Sequence, residues 1–257
     1  MINNFLYHFF APTGRFEPCG MFTTPHFIAI FVCFIFITYF SIYFIKNKEK
    51  RSIDNVFRKT AVILTILELI KISHSFFYGE LHLDAWFPLS YCGLFIFASW
   101  MAGYGKNHIK KIGEAYITYG CPIAGICFLI FPTTSLMSFP IWHYFSLYSL
   151  FFHSVMIFTG VVMLHNEKRL SKQTFLHYLY FIVLFSIIAI IINQVKGSNL
   201  MNLREPYNIP IAILQNMYSS FPFGYTIFVF IGYSFIPFIV GSLCGKIKFN
   251  RRDSNNC

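Results

Sequence analysis

Charged side chains are scarce in this chain, and acids are the scarcest. Ten Asp and Glu stand against twenty Lys and Arg, and charged residues make up 12% of 257 positions. A soluble domain carries about 25%, so an ordinary water-exposed surface is excluded. Tryptophan occurs three times, whereas phenylalanine occurs 34 times. The seven cysteines include no CxxC spacing, so neither a zinc ribbon nor a dithiol redox motif is present, and no metal or cofactor is expected. The formal charge of +10 raises the question of nucleic acid, but the basic residues sit in short segments between apolar runs, so no nucleic-acid partner is expected. No stretch reads as a separate soluble domain, and no internal repeat is evident.

What is present is a series of long apolar runs, 56% of the chain being hydrophobic. Only helices or closed barrels satisfy their backbone in lipid, and these runs exceed a barrel strand. The expected fold is all-α: a polytopic membrane protein with seven transmembrane helices. The spans fall near 25–45, 60–79, 86–104, 112–131, 141–164, 175–195 and 222–243. The first is preceded by no basic segment and followed by no small-residue cleavage site, so it is expected to stay as a span. Residues 1–24 read as an interfacial segment, 25–245 as the seven-helix domain and 246–257 as a basic tail.

Basic residues divide unequally between the two sides. The first basic loop holds six, the second three, the third three and the tail four; the other side holds only Arg15, Lys196 and Arg204. By the positive-inside rule the N-terminus is outside and the C-terminus cytoplasmic. This makes the chain a multi-pass protein of the cell membrane.

Polar residues inside the spans are functional candidates by default. His153 lies roughly 12–15 Å into the fifth span, with Ser149 one turn earlier on the same face. Trp142, His143 and Tyr144 form an interfacial belt at that span's start. Glu68, Lys71 and His74 lie in the second span; Glu68 and Lys71, three apart, are placed to neutralise each other. Cys92 is roughly 6–9 Å below the outer interface, beside Ser90 and Tyr91. A thiol in an apolar span is ordinarily inert, and becomes a nucleophile when a base takes its proton; spacing alone does not join Cys92 to His153, and Cys121 and Cys127 are rival thiols. His26 stands at the mouth of the first span. Asn199 and Arg204, in the longest connection, suit an anionic head group or, more plainly, helix capping. The shared depth of these groups points to a polar cavity in the outer half.

Four ordered pieces carry a resemblance: FTTPH at 22–26, PLSYC at 88–92, FPIWHYF at 139–145 with FFH at 151–153, and GSNLM at 197–201 followed by REP. In order and spacing the chain resembles the YwaF-type family of bacterial integral membrane proteins. Bacterial members carry a histidine two residues before the cysteine, where this chain has Ser90. The family is similar to a eukaryotic transmembrane acyltransferase of ether phospholipids, and more distantly to the androgen-induced intramembrane hydrolases of fatty-acid esters. The resemblance implies that Cys92 is a nucleophile and His153 its histidine. The expected function is therefore acyl transfer or acyl-ester hydrolysis on a membrane lipid, with Ser90, Tyr91 or Asn199 at the oxyanion. The competing readings are a proton-coupled small-solute permease using Glu68, Lys71, His74 and His153, and a non-enzymatic scaffold.

Overall fold

The apolar runs become helices wherever the chain supplies a start and a stop. In the computed structural model, which describes residues 2–47, 53–80, 82–166, 171–206 and 211–254, the order is α1 (Ile2–Phe9), α2 (Thr24–Lys46), α3 (Ile53–Phe77), α4 (Leu83–Trp86), α5 (Leu94–Tyr104), α6 (Asn107–Ile130), α7 (Ser135–Ser138), α8 (Tyr144–Asn166), α9 (Lys172–Lys196), α10 (Ala212–Ser220) and α11 (Pro222–Ser254). Among the described residues there is no strand. Thr23 caps α2 by accepting the His26 N–H, with Pro25 in the first turn, where its missing N–H costs nothing. Ser171 caps α9 in the same way through the Thr174 N–H.

Among the described residues six helices are long and apolar enough to cross a membrane: α2, α3, α6, α8, α9 and the part of α11 from Pro222 to Cys244. The third expected span, 86–104, is the exception. Its helical part is α5, only 11 residues. The chain from Phe87 to Gly93 turns instead of coiling, because Pro88 disfavours helix at Phe87 and offers no N–H. The Ser90 hydroxyl takes the Gly93 N–H at 2.9 Å, and the Ser90 carbonyl takes the Leu94 N–H. Position 93 needs glycine, since a Cβ there would stand 2.8 Å from the Pro88 carbonyl oxygen. At the other terminus α11 runs on to Ser254, so the basic tail begins within a helix.

Among the described residues the most extensive helix contact is that of α6 with α8. Gly160 of α8 seats directly on the ring of Pro122, inside α6, and any side chain at 160 would collide with it. Small residues let two helices approach in lipid, where burying apolar surface gives little driving force. At the basic end Arg58 donates to the Gly103 carbonyl at 2.7 Å, and Lys110 pairs with Asp54 at 2.7 Å, tying α3 to α5 and α6. At the opposite end the N-terminal segment is stitched on through Cys19 N–H to the Phe139 carbonyl and Gly20 N–H to the Leu136 carbonyl.

Candidate functional site

Cys92 sits in the turn that interrupts the third apolar run, just before α5 begins. Its side chain is half-buried and packs against the main core. Cys121 and Cys127 of α6 and Tyr233 of α11 lie within electrostatic reach of the thiol. Tyrosines hold the turn. Tyr116 donates to the Tyr91 carbonyl, and the Tyr91 ring stacks on Tyr233 with centroids 4.3 Å apart. Tyr178 gives its proton to the Tyr233 carbonyl at 2.6 Å, so the 2.9 Å contact between Tyr91 and Tyr178 hydroxyls is made with the Tyr91 proton. That proton is committed, which takes Tyr91 out of the expected oxyanion donors. Ser90 accepts through its oxygen and keeps its own proton to give.

His153 is buried in α8, 6% exposed. Its Nδ1 lies 2.7 Å from the Ser149 carbonyl, so Nδ1 carries the proton and Nε2 the lone pair. Ser149 thus serves through its backbone, not its hydroxyl. The ring lies flat on Phe128 of α6 at 3.6 Å between centroids. Nε2 is buried and has no hydrogen-bond partner among the described residues, Cys92 included. Helix α6 therefore faces both groups, with Cys121 and Cys127 within electrostatic reach of the thiol and Phe128 on the imidazole.

Glu68 is the centre of a second polar cluster. Lys71 Nζ approaches its Oε1 at 2.5 Å, and Tyr148 of α8 donates to its Oε2 at 2.6 Å. Tyr144, one turn earlier, donates to the Leu67 carbonyl. A cleft of about 220 Å³ between α3 and α5 reaches Glu68, with Thr65, Pro88, Ile96 and Trp100 on its walls. A second cleft, of about 290 Å³, lies between α9 and α11 and is bordered by Arg204. Neither is lined by Cys92 or His153, so the expected outer-half cavity is not one of these two.

The other candidate histidines, His26, His74 and His143, are fasteners. His26 accepts the Phe22 N–H at Nδ1 and donates from Nε2 to the Leu129 carbonyl at 3.0 Å, filling an acceptor that the end of α6 leaves open. His74 and His143 both direct Nε2 at the Ala11 carbonyl, at 3.3 and 3.1 Å. The His143 Nδ1 accepts the Phe145 N–H, which fixes its neutral tautomer, and burial pushes its pKa down to about 4.

The GSNLM connection folds inward. Asn193 pairs with the backbone of Leu200 through both ends of its amide, at 2.7 and 3.0 Å. The Met201 N–H donates to the Leu89 carbonyl, so this loop braces the Cys92 turn. Asn199 is a hub: it takes the Arg204 and Glu205 N–H groups and gives its amide to the Glu205 carbonyl. That is a capping role. Sequence reasoning missed Tyr116, Tyr148, Tyr178 and Tyr233. Their signal was a hydroxyl in the middle of an apolar run, which must find a partner once lipid surrounds it.

Among known proteins, the model of the TMEM164 family matches residues 21–240. The matched stretch holds every candidate residue named above, from His26 to Arg204. No curated protein and no solved structure matches.

Proposed function

The chain belongs to the TMEM164 family, and from that premise we propose that it is an intramembrane acyltransferase or acyl-ester hydrolase acting on a lipid. The observation that carries this reading is the break at Phe87–Gly93, which sets a half-buried thiol at the start of a helix within an apolar run. The positive end of the α5 dipole lies at that turn, which favours a developing oxyanion there.

In this reading Cys92 Sγ attacks the acyl carbonyl and its proton passes to His153 Nε2, the free lone pair of a ring held at Nδ1 by Ser149. The tetrahedral intermediate collapses, the lipid alcohol leaves with that proton, and a thioester remains on Cys92. A second hydroxyl or water, deprotonated by His153, releases the acyl group and restores the thiol. Ser90 is the hydroxyl placed to steady the oxyanion. Thiol and Nε2 must close on each other when lipid binds, as catalytic hydrogen bonds do on forming the substrate complex. The turn and α5 together count as a seventh crossing, with the N-terminus outside, the C-terminus cytoplasmic and the chain in the cell membrane.

The test is lipid turnover by the purified chain in vesicles. Cys92→Ala and His153→Ala should each abolish it, and the double variant should be no worse than either, because residues acting as a unit are not additive. Full turnover by Cys92→Ala would remove the reading. The Glu68–Lys71–Tyr148 cluster beside its cleft, with Glu68 and Tyr148 buried and Lys71 half-buried, favours a second reading, a proton-coupled permease. That reading tolerates Cys92→Ala and fails if Glu68→Gln leaves solute uptake unchanged.

A further inference from the structure

The cation-poor end of the bundle has three basic residues, and two of them, Lys196 and Arg204, are near one another in sequence at the end of α9. We propose that the cleft between α9, α10 and α11 binds the phosphate head group of a membrane phospholipid, with Arg204 as the anion's partner. This is a binding site in its own right and does not depend on chemistry at Cys92.

Three observations support it. First, the cleft is amphipathic. Ile190, Leu203 and Phe223 make an apolar wall, while Arg204, Gln194 and Tyr218 supply polar groups around it, in about 290 Å³. Second, the arginine is positioned yet not neutralised. One arm of its guanidinium donates to the Gly197 carbonyl, and among the described residues no carboxylate lies within ion-pair distance of it. The nearby Glu205 has the Tyr218 hydroxyl at 3.4 Å from its carboxylate. The rest of the guanidinium fork matches a phosphate diester in shape and charge. Third, the loop presenting it is rigid. Tyr225, Thr226 and Tyr233 of α11 donate to three successive carbonyls, those of Asn202, Leu203 and Met201, at 2.9, 2.8 and 3.0 Å. Those bonds hold Met201 and Asn202 at φ of 57° and 51°, a conformation that side-chain-bearing residues rarely keep without support.

The occupant follows from where the cleft lies. It stands at the end of a membrane-length helix whose outer face, Ile187, Ile191 and Val195, is exposed and apolar. Acyl chains have a wall there, and the head group arrives at the level of Arg204. A soluble anion would gain the guanidinium and nothing from that wall.

The experiment is native mass spectrometry of the delipidated full chain with dioleoylphosphatidylglycerol, dioleoylglycerol or sn-glycerol 3-phosphate added. Phosphatidylglycerol should bind saturably, and dioleoylglycerol, which lacks the phosphate, at least tenfold more weakly. Glycerol phosphate in millimolar excess should not displace it. Arg204→Gln, which removes the positive charge, should lower occupancy about tenfold, and Arg204→Lys, which keeps it, should lose less. Ile190→Trp, which fills the wall and leaves the arginine in place, should also lower it, so the result does not rest on one variant folding. Cys92→Ala should bind as the parent does, which separates this site from the proposed reaction. Equal binding of dioleoylglycerol, full displacement by glycerol phosphate, or unchanged binding in both Arg204→Gln and Ile190→Trp would each overturn the proposal.

Discussion

Tyr148 of α8 donates its hydroxyl to Glu68 of α3 across 2.6 Å, on the side of the carboxylate away from Lys71. A carboxylate in an apolar layer needs both a countercharge and hydrogen bonds, and one lysine three residues on supplies only part of that. The second helix completes it, so the pair also fastens α3 to α8.

Removing Glu68 alone leaves the Lys71 ammonium without its partner. Glu68→Ala should therefore destabilise the chain by about 3 kcal/mol, and Glu68→Ala with Lys71→Ala by less, since breaking a buried pair costs more than replacing it. Tyr148→Phe should cost about 1–2 kcal/mol for the lost charged hydrogen bond. Unfolding in detergent, followed by far-ultraviolet dichroism, checks the order of the three. Additive losses for Glu68 and Lys71 would mean that the pair contributes nothing as a pair.

Acid should loosen the N-terminal segment through His143. Burial lowers its folded pKa from 6.5 to about 4, so between those values the unfolded chain binds more protons than the folded one. The neutral ring's contribution is full above pH 6.5 and is lost as pH falls towards 4, about 3 kcal/mol at most from 1.4 kcal/mol per pKa unit. His143→Gln keeps a donor for the Ala11 carbonyl without titrating. The variant should show a shallower fall in thermal midpoint from pH 7 to pH 4.5 than the parent; parallel curves would assign the acid sensitivity to other groups.

The Cys92 turn should depend on a hydroxyl one helix away. Tyr116→Phe removes the bond to the Tyr91 carbonyl while keeping the ring, which is fully buried. We expect about 1–2 kcal/mol lower stability, because a buried carbonyl loses its donor. We also expect changed labelling of Cys92 by a lipid-soluble maleimide, at a rate shifted severalfold relative to Cys127. An unchanged ratio would mean that Tyr116 does not position the thiol.

The basic asymmetry predicts the side of each terminus. A C-terminal reporter active only in the cytoplasm should be active, because the three basic loops and the tail carry sixteen Lys and Arg against three in the alternate segments, and the positive-inside rule assigns the richer segments to the cytoplasm. A tail that reports outside would invert every depth assigned from the charges.

Composition alone determined the class of this protein. Long apolar runs with few charges must be helices in lipid, and Thr23, Pro25 and Ser171 mark where two of them start. Proximity along one helix likewise placed Lys71 against Glu68 and Ser149 beside His153, since three or four residues make one turn. Beyond one turn the sequence is silent, and for a physical reason. A helix apolar on every face has no stripe that says which side meets which neighbour. Only tertiary packing gave Glu68 its Tyr148, 80 residues away, and brought His143 to Ala11, 132 residues away. The shortened third span had the same origin. Hydropathy sums side chains and so counted 86–104 as one run, whereas the break depends on where the backbone of Pro88, Ser90 and Gly93 finds its hydrogen bonds, and on the Met201 and Tyr116 groups that reach in to hold the turn.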